Sequence, residues 1–249
     1  MFNFSRKRRT EPAGAPGYRA YVVGDVHGRL DLLEKLLAKI HAEQEKQALD
    51  KLLLVFLGDL IDRGPSSAQV LERLRTYDRP GVRPIFLLGN HEEVLLRILN
   101  GDAELITRWR CFGGTECLQS YGIEPAQLDN ISDDDSLRIV REAIPGEHVR
   151  FVESFANSCR FGDYLFVHAG IRPGVKLEQQ TQTDLRWIRE PFLYDDRDHG
   201  VVVVHGHTIS PQVEELPNRI GIDTGAYRTG ILTALAIEGT DRWFLDTHD

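Results

Sequence analysis

Cysteine is scarce in this 249-residue chain, and the three present, Cys111, Cys117 and Cys159, are an odd and scattered set. They give no disulfide framework and point to a reducing compartment. No apolar run approaches the roughly 18–20 residues of a membrane span. The N-terminal cluster Arg6-Lys7-Arg8-Arg9 is followed by Thr10-Glu11-Pro12-Ala13-Gly14 and not by an apolar stretch, so it is no secretory signal. A cytoplasmic location is the expectation. Positive charge is also short: the formal net charge of −8 argues against a nucleic-acid-binding surface. It leaves room for an anionic ligand, because a site can be locally positive on an acidic protein. No internal repeat is evident, and no membrane or nucleic-acid partner is expected.

What is present is ample core material, 41% hydrophobic against 27% charged. That suits one large domain or two small ones. By composition residues 1–17 read as a disordered, solvated tail, and residues 18–249 as the folded domain. The chain then alternates strands and helices. Ala20-Tyr21-Val22-Val23 is a strand that ends in Gly24-Asp25-Val26-His27-Gly28. Leu32, Leu33, Leu36, Leu37 and Ile40 fall at helical spacing, with Asp31 a cap. Leu52 to Leu57 form a strand buried on both faces, and Pro65 with Ser66 and Ser67 suits a helix start. Arg83 to Leu88 is a third strand, closed by Gly89-Asn90-His91-Glu92, and residues 94–99 look helical. Residues 101–151 read as less regular: Cys111 to Thr115 as a loop, Asp129 to Ser136 as a solvated acidic stretch. Strands resume at Tyr164–Val167, Val201–Val204 and Ile220–Ile222. Residues 231–237 and 243–245 form a closing hairpin with Gly239 in the turn.

The central strand runs directly into Gly58-Asp59-Leu60-Ile61-Asp62-Arg63-Gly64. Two carboxylates and a guanidinium within five residues of a buried strand make a poor core and a good site. Asp59 lies at the strand end, where α/β folds place ligands. It suits a carboxylate bridging two metal ions, with Arg63 beside it to hold phosphate. Six apolar runs end in the same manner, at Asp25 and His27, Asp59, Asn90 and His91, His168, His207, and Asp223. If the strand ends share one edge, these groups converge. Asp, Asn and imidazole without thiolate suit Mn²⁺, Zn²⁺ or Fe²⁺ and not a structural Cys-zinc site. The ligand count fits two ions sharing one carboxylate, the arrangement used for displacement at phosphorus. Other phosphate chemistries are missing. There is no Gly-x4-Gly-Lys-Ser/Thr loop, no cysteine six residues before an arginine, and no Asp-x-Asp-x-Thr.

In order along the chain, Gly24-Asp25-Val26-His27-Gly28, Gly58 to Gly64, Gly89-Asn90-His91-Glu92, His168-Ala169-Gly170 and Gly206-His207-Thr208 resemble the signature set of the metal-dependent phosphoprotein phosphatase family. That family lies within the calcineurin-like metallophosphoesterases. The resemblance spans residues 20–240 and is nearest to bacterial and phage members. It implies an α/β fold, a β-sandwich of two mixed sheets flanked by helices, with both metals at strand-end loops.

Carried over residue by residue, the resemblance implies that Asp25, His27 and Asp59 hold the first metal. Asp59 bridges to the second, which Asn90, His168 and His207 complete. His91 is the general acid, oriented by Asp62. Arg63 binds phosphate, and Arg189, from Trp187-Ile188-Arg189, is the second phosphate arginine, with Arg186 its nearest rival. The implied reaction is direct attack of metal-activated water without a phosphoenzyme, with two divalent ions, Mn²⁺ expected and Fe or Zn possible. The substrate is expected to be a phosphoserine- or phosphothreonine-bearing protein. The alternative is a bis(5'-nucleosyl)-tetraphosphatase. Those hydrolases usually lack the Asp-Arg pair and carry Asp after Asn-His, whereas this chain has Asp62-Arg63 and Glu92. An inactive scaffold would have lost a ligand or the acid, and none is lost. His205 is expected to pack or support, and Asp223 to be a turn or supporting group.

Overall fold

Strand alternation builds the layers. The computed structural model describes residues 11–46 and 51–248. In chain order the strands are β1 (Arg19–Val23), β2 (Leu52–Phe56), β3 (Val82–Phe86), β4 (Ser158–Phe161), β5 (Tyr164–Val167), β6 (Val202–His205), β7 (Glu214–Glu215), β8 (Arg219–Gly221), β9 (Thr233–Glu238) and β10 (Asp241–Asp246). They form two five-stranded sheets, ordered β10-β9-β1-β2-β3 and β4-β5-β6-β8-β7. Each sheet is mixed, with three parallel strands: β1-β2-β3 on one side of the first, ending at its edge, and β5-β6-β8 in the middle of the second. Ala20, Val22 and Val55 pack across the sandwich onto Phe166, Val202, Val204 and Ile220. The alternate residues Tyr21, Val23, Leu54 and Phe56 face the helices instead. This two-sided burial explains why β2 carries an unbroken apolar run.

The helices are α1 (Leu30–Lys46), α2 (Ser67–Arg75), α3 (Asn90–Leu99), α4 (Leu105–Trp109), α5 (Thr115–Ser120), α6 (Asp133–Ala143), α7 (Gly146–Glu153), α8 (Gln182–Trp187) and α9 (Ala226–Thr229). α1 buries Leu32, Leu33, Leu36, Leu37 and Ile40, the stripe its spacing predicts. A smaller cluster, including Leu185, Ile188 and Phe192, covers the outer face of β5 and β6. No described helix is long and apolar enough to cross a membrane.

Register brings the strand ends level. Val23 pairs with Phe56 and Phe56 with Phe86. In the second sheet Phe166 pairs with Val204 and Val204 with Ile220. Asp25, His27, Asp59, Asn90, His91, His168, His207 and Asp223 follow these positions by two to five residues, so the six loops open on one edge.

Two expectations need correction. Residues 101–151 are largely helical: α4 to α7 fill them, and the acidic stretch starts α6, where the Ser132 hydroxyl caps the Asp135 amide. Ala13 and Gly14, placed in the tail, are tied down. The Asp163 amide donates to the Ala13 carbonyl at 2.9 Å and the Gly14 amide to the Gly239 carbonyl at 2.7 Å. The basic part of that tail lies outside the described residues.

Candidate active site

A cavity of about 240 Å³ opens at the shared edge, lined by His27, Asp59, Arg63, Asn90, His91, Arg189, His207, Thr208, Ile209 and Asp223. The backbone bends sharply to present these groups. His27, Asp59, Asp62, Arg63 and His207 all have left-handed φ, between 46° and 71°. The sole other non-glycine residue of this kind among the described residues is Asn130. Left-handed backbone costs about 1–2 kcal/mol per non-glycine residue, so its clustering marks a site and not a core. Gly58, at φ 100°, permits a close approach of two loops: a Cβ there would sit 2.5 Å from the Gly89 amide nitrogen.

Ligand atoms gather in two groups that share Asp59. One contains His27, Asp59 and His91, the other Asp59, His168 and His207, and within each the atoms lie within 4.8 Å of one another. Backbone carbonyls fix two imidazole tautomers. His27 Nδ1–H donates to the Ile61 carbonyl at 2.8 Å, and His168 Nδ1–H to the Leu57 carbonyl at 2.9 Å. Each Nε2 is therefore a bare lone pair. His27 Nε2 faces Asp59 Oδ2 at 3.6 Å. His168 Nε2 faces Asp59 Oδ1 at 3.4 Å and Asn90 Oδ1 at 2.9 Å. Asn90 Oδ1 also lies 2.8 Å from His207 Nδ1. Burial holds His27 near 3 and lowers His168 and His207, so these rings are neutral. Burial pushes Asp59 upward, but the pull of the surrounding imidazoles in their charged forms, His168 first, takes it below the ordinary carboxylate range, and with His27, His168 and His207 neutral it is protonated His91 that helps hold the carboxylate ionised. Acceptors facing acceptors in a buried space fit divalent cations between them.

Asp25 stands somewhat apart. Its Oδ2 accepts the His207 amide at 3.0 Å, while buried Oδ1 has no partner. Burial raises it well above the carboxylate range, helped by Asp223 and Asp59. An orphaned buried carboxylate oxygen next to the His207 backbone suits a cation. Asp223 lines the cavity, accepts the Gly225 amide at 2.9 Å, and is raised to about 6 by burial.

His91 and Asp62 form a close pair. His91 Nδ1–H donates to Asp62 Oδ2 at 2.6 Å. Burial lowers the imidazole, but Asp59 and Asp62 overcome it and hold it up at about 9. His91 Nε2 lies 3.4 Å from Arg63 Nη2, on the cavity side. Arg63 also reaches the Tyr227 hydroxyl and lies over its ring at 4.7 Å. Arg189 lines the cavity, whereas Arg186 is buried in contacts with Glu93, Asn157 and Gln182. The rival histidines separate as well. β6 ends at His205, which packs edge-on against Phe192, and the left-handed turn at His207 sends that ring into the cavity.

Sequence reasoning used Glu92 as a substrate marker and missed its structural work. Its buried carboxylate accepts four amides: Gly89 at 3.0 Å and Asp59 at 2.8 Å on Oε2, Leu60 at 2.7 Å and Ile61 at 3.3 Å on Oε1. It clasps the Asp59 loop to the start of α3. Glu92 is the third residue of α3, where a glutamate can reach back to the N-cap amide, here that of Gly89, and that half of a capping box is the local signal that could have found it. Glu92→Gln is expected to destabilise the protein by about 2–4 kcal/mol, because the amide NH₂ would meet backbone donors. Urea unfolding reads this, and an unchanged midpoint would show that the loop holds itself. Trp109 and Tyr227 were also missed, since nothing local in the sequence links them to Asp62 or Arg63.

Comparisons with known proteins give the family and the fold. A serine/threonine-protein phosphatase 1 of Salmonella typhimurium is 30% identical over 227 residues, covering 88% of this chain and 91% of that protein. An asymmetrical bis(5'-nucleosyl)-tetraphosphatase of Halalkalibacterium halodurans is 26% identical, covering 86% and 88%. The crystal structure of a putative diadenosine tetraphosphatase superposes with a TM-score of 0.64 at 21% identity, covering 94% and 98%, which supports the fold. The profile of the calcineurin-like phosphoesterases matches residues 18–233, so two sheets, a shared carboxylate and the paired ligand groups find one explanation: the chain belongs to the calcineurin-like phosphoesterase family.

Proposed function

We propose that this phosphoesterase is a dimetal-dependent serine/threonine phosphoprotein phosphatase. The observation that carries the reading is the His91–Asp62 pair, 2.6 Å apart, with the other imidazole nitrogen toward the cavity. A serine or threonine alkoxide is a poor leaving group and needs a proton, whereas a nucleotide phosphate leaves readily without one. As a water oxygen bonds to phosphorus and the ester P–O bond breaks, His91 Nε2–H gives its proton to the leaving oxygen, and Asp62 holds the imidazole in place. Arg63 and Arg189 grip the phosphoryl oxygens, a forked contact suited to one phosphate. Asp25, His27 and Asp59 would hold one ion, and Asp59, Asn90, His168 and His207 the other. Bound there, divalent ions, Mn²⁺ by preference, supply Lewis-acid activation of water and neutralise phosphoryl charge.

The second reading is a dinucleoside tetraphosphatase, favoured by the relatives that carry that name. Against it, the lining offers two guanidiniums, few for a chain of four phosphates. Measuring kcat/KM of the Mn²⁺-loaded protein on phosphoserine and phosphothreonine peptides beside diadenosine tetraphosphate decides the matter. The peptides are expected to be preferred by at least about tenfold, within the range one site achieves by transition-state discrimination. Preference for the nucleotide would overturn the substrate and leave the metal site standing.

A further inference from the structure

Asp62 Oδ2, the oxygen that meets His91, receives a second hydrogen bond. Trp109 Nε1–H donates to it at 2.7 Å, from 47 residues further along the chain. Trp109 ends α4 and is buried, and α4 runs into a kinked turn, residues 110–114. The kink is what lets the segment return to the site. Gly113, at φ 107°, lies so close that a Cβ would sit 2.5 Å from Arg63 Cγ. Its carbonyl accepts the Arg63 amide at 2.9 Å. Gly114 lies against the Trp109 ring, where a Cβ would be 2.5 Å from Cδ2. One short segment thus grips Asp62 through its side chain and Arg63 through its backbone, at two successive left-handed residues. Strained backbone of this kind persists only when its surroundings hold it.

We propose that Trp109 is a positioning residue for proton transfer: its indole N–H locks the Asp62 carboxylate in the rotamer that aims His91 at the leaving oxygen. A carboxylate bound by one donor can swing about χ2, and with it the imidazole that rides on it. A second donor on the same oxygen, fixed to a buried ring, removes that freedom. Supporting groups of this type are worth about 10- to 100-fold in activity when removed. The inference rests on His91 acting as the acid.

Trp109→Phe keeps a buried ring and deletes the N–H. The test compares turnover of a phosphoserine peptide, whose alkoxide needs a proton, with that of p-nitrophenyl phosphate, whose phenolate does not. The peptide-to-aryl turnover ratio is expected to fall about tenfold, with KM for the peptide little changed. In an Asp62→Asn background the same substitution is expected to leave the ratio where Asp62→Asn alone put it, because the two act on one path. Equal loss on both substrates, or full additivity with Asp62→Asn, would make Trp109 a packing residue and overturn the proposal. If His91→Ala itself leaves the ratio unaltered while the peptide is still hydrolysed, the acid assignment fails, and this proposal with it. A nucleotide preference in the substrate assay, by contrast, would remove the proposed substrate without altering the ratio. Should Trp109→Phe not fold, the indole proton of Trp109 is followed by NMR in Asp62→Asn. It is expected to move upfield and exchange faster than in the wild type, and an unmoved resonance overturns the claim.

Discussion

Replacing His91 by alanine is expected to slow phosphoserine-peptide hydrolysis by about 10²–10⁴-fold, the usual worth of general-acid help. Bound manganese is expected to stay at the wild-type level. The second clause is the informative one. His91 Nε2 lies 3.9 Å from Asp59 Oδ2 and belongs to the same group of donor atoms as His27. By position alone it could be a ligand. Its chemistry differs from that of its neighbours, however. His27 and His168 present bare nitrogens to the cavity because carbonyls take their N–H groups. His91 hands its Nδ1–H to a carboxylate, and Asp59 and Asp62 hold the ring protonated against the pull of burial. A protonated nitrogen is a donor and binds no metal. Metal analysis of purified His91→Ala by atomic emission separates the roles. Retained metal with lost peptide turnover supports the acid, and lost metal would mean that His91 is a ligand.

The part of the site that was legible in the sequence is the part that sits on strand ends. Each of β1, β2, β3, β5, β6 and β8 runs through or into a short apolar stretch that ends near a glycine and a polar ligand type, and parallel register within each sheet then does the convergence. The rest is long-range. α6 buries little beyond Ser136, Leu137 and Val140, and α4 and α5 span one turn or so each, too short for a clear period. β7 is two exposed glutamates and β4 is half exposed, so neither had an apolar signature. Ala13 and Gly14 are anchored by backbone bonds, which leave no mark on residue type. The Trp109–Asp62 bond and the Arg63–Tyr227 contact join chain segments 47 and 164 residues apart, and only the fold brings them together.

Asp59→Asn is expected to have the largest effect of any single change, because Asp59 alone belongs to both ligand groups. The substitution preserves shape, and Oδ1 can still accept the His91 amide, a contact of 3.1 Å in the wild type. What it removes is the negative charge between three neutral imidazoles. Turnover is expected to fall by more than about 10³-fold, the scale of losing charge stabilisation at the reacting centre. Activity alone would not distinguish lost metal from lost substrate, so the decisive readout is thermal. In manganese at about a hundred times its Kd, EDTA is expected to strip roughly 3 kcal/mol from the wild type, because metal bound to the native state stabilises it by mass action. For a chain of this size that lowers Tm by about 5–10 °C. In Asp59→Asn the same treatment is expected to leave Tm in place, since the remaining donors, Asp25, His27, Asn90, His168 and His207, fall into two uncoupled sets with no shared anion. A variant that still binds manganese and still loses stability in EDTA would show that Asp25, with its unpartnered buried oxygen, carries the ions in place of Asp59.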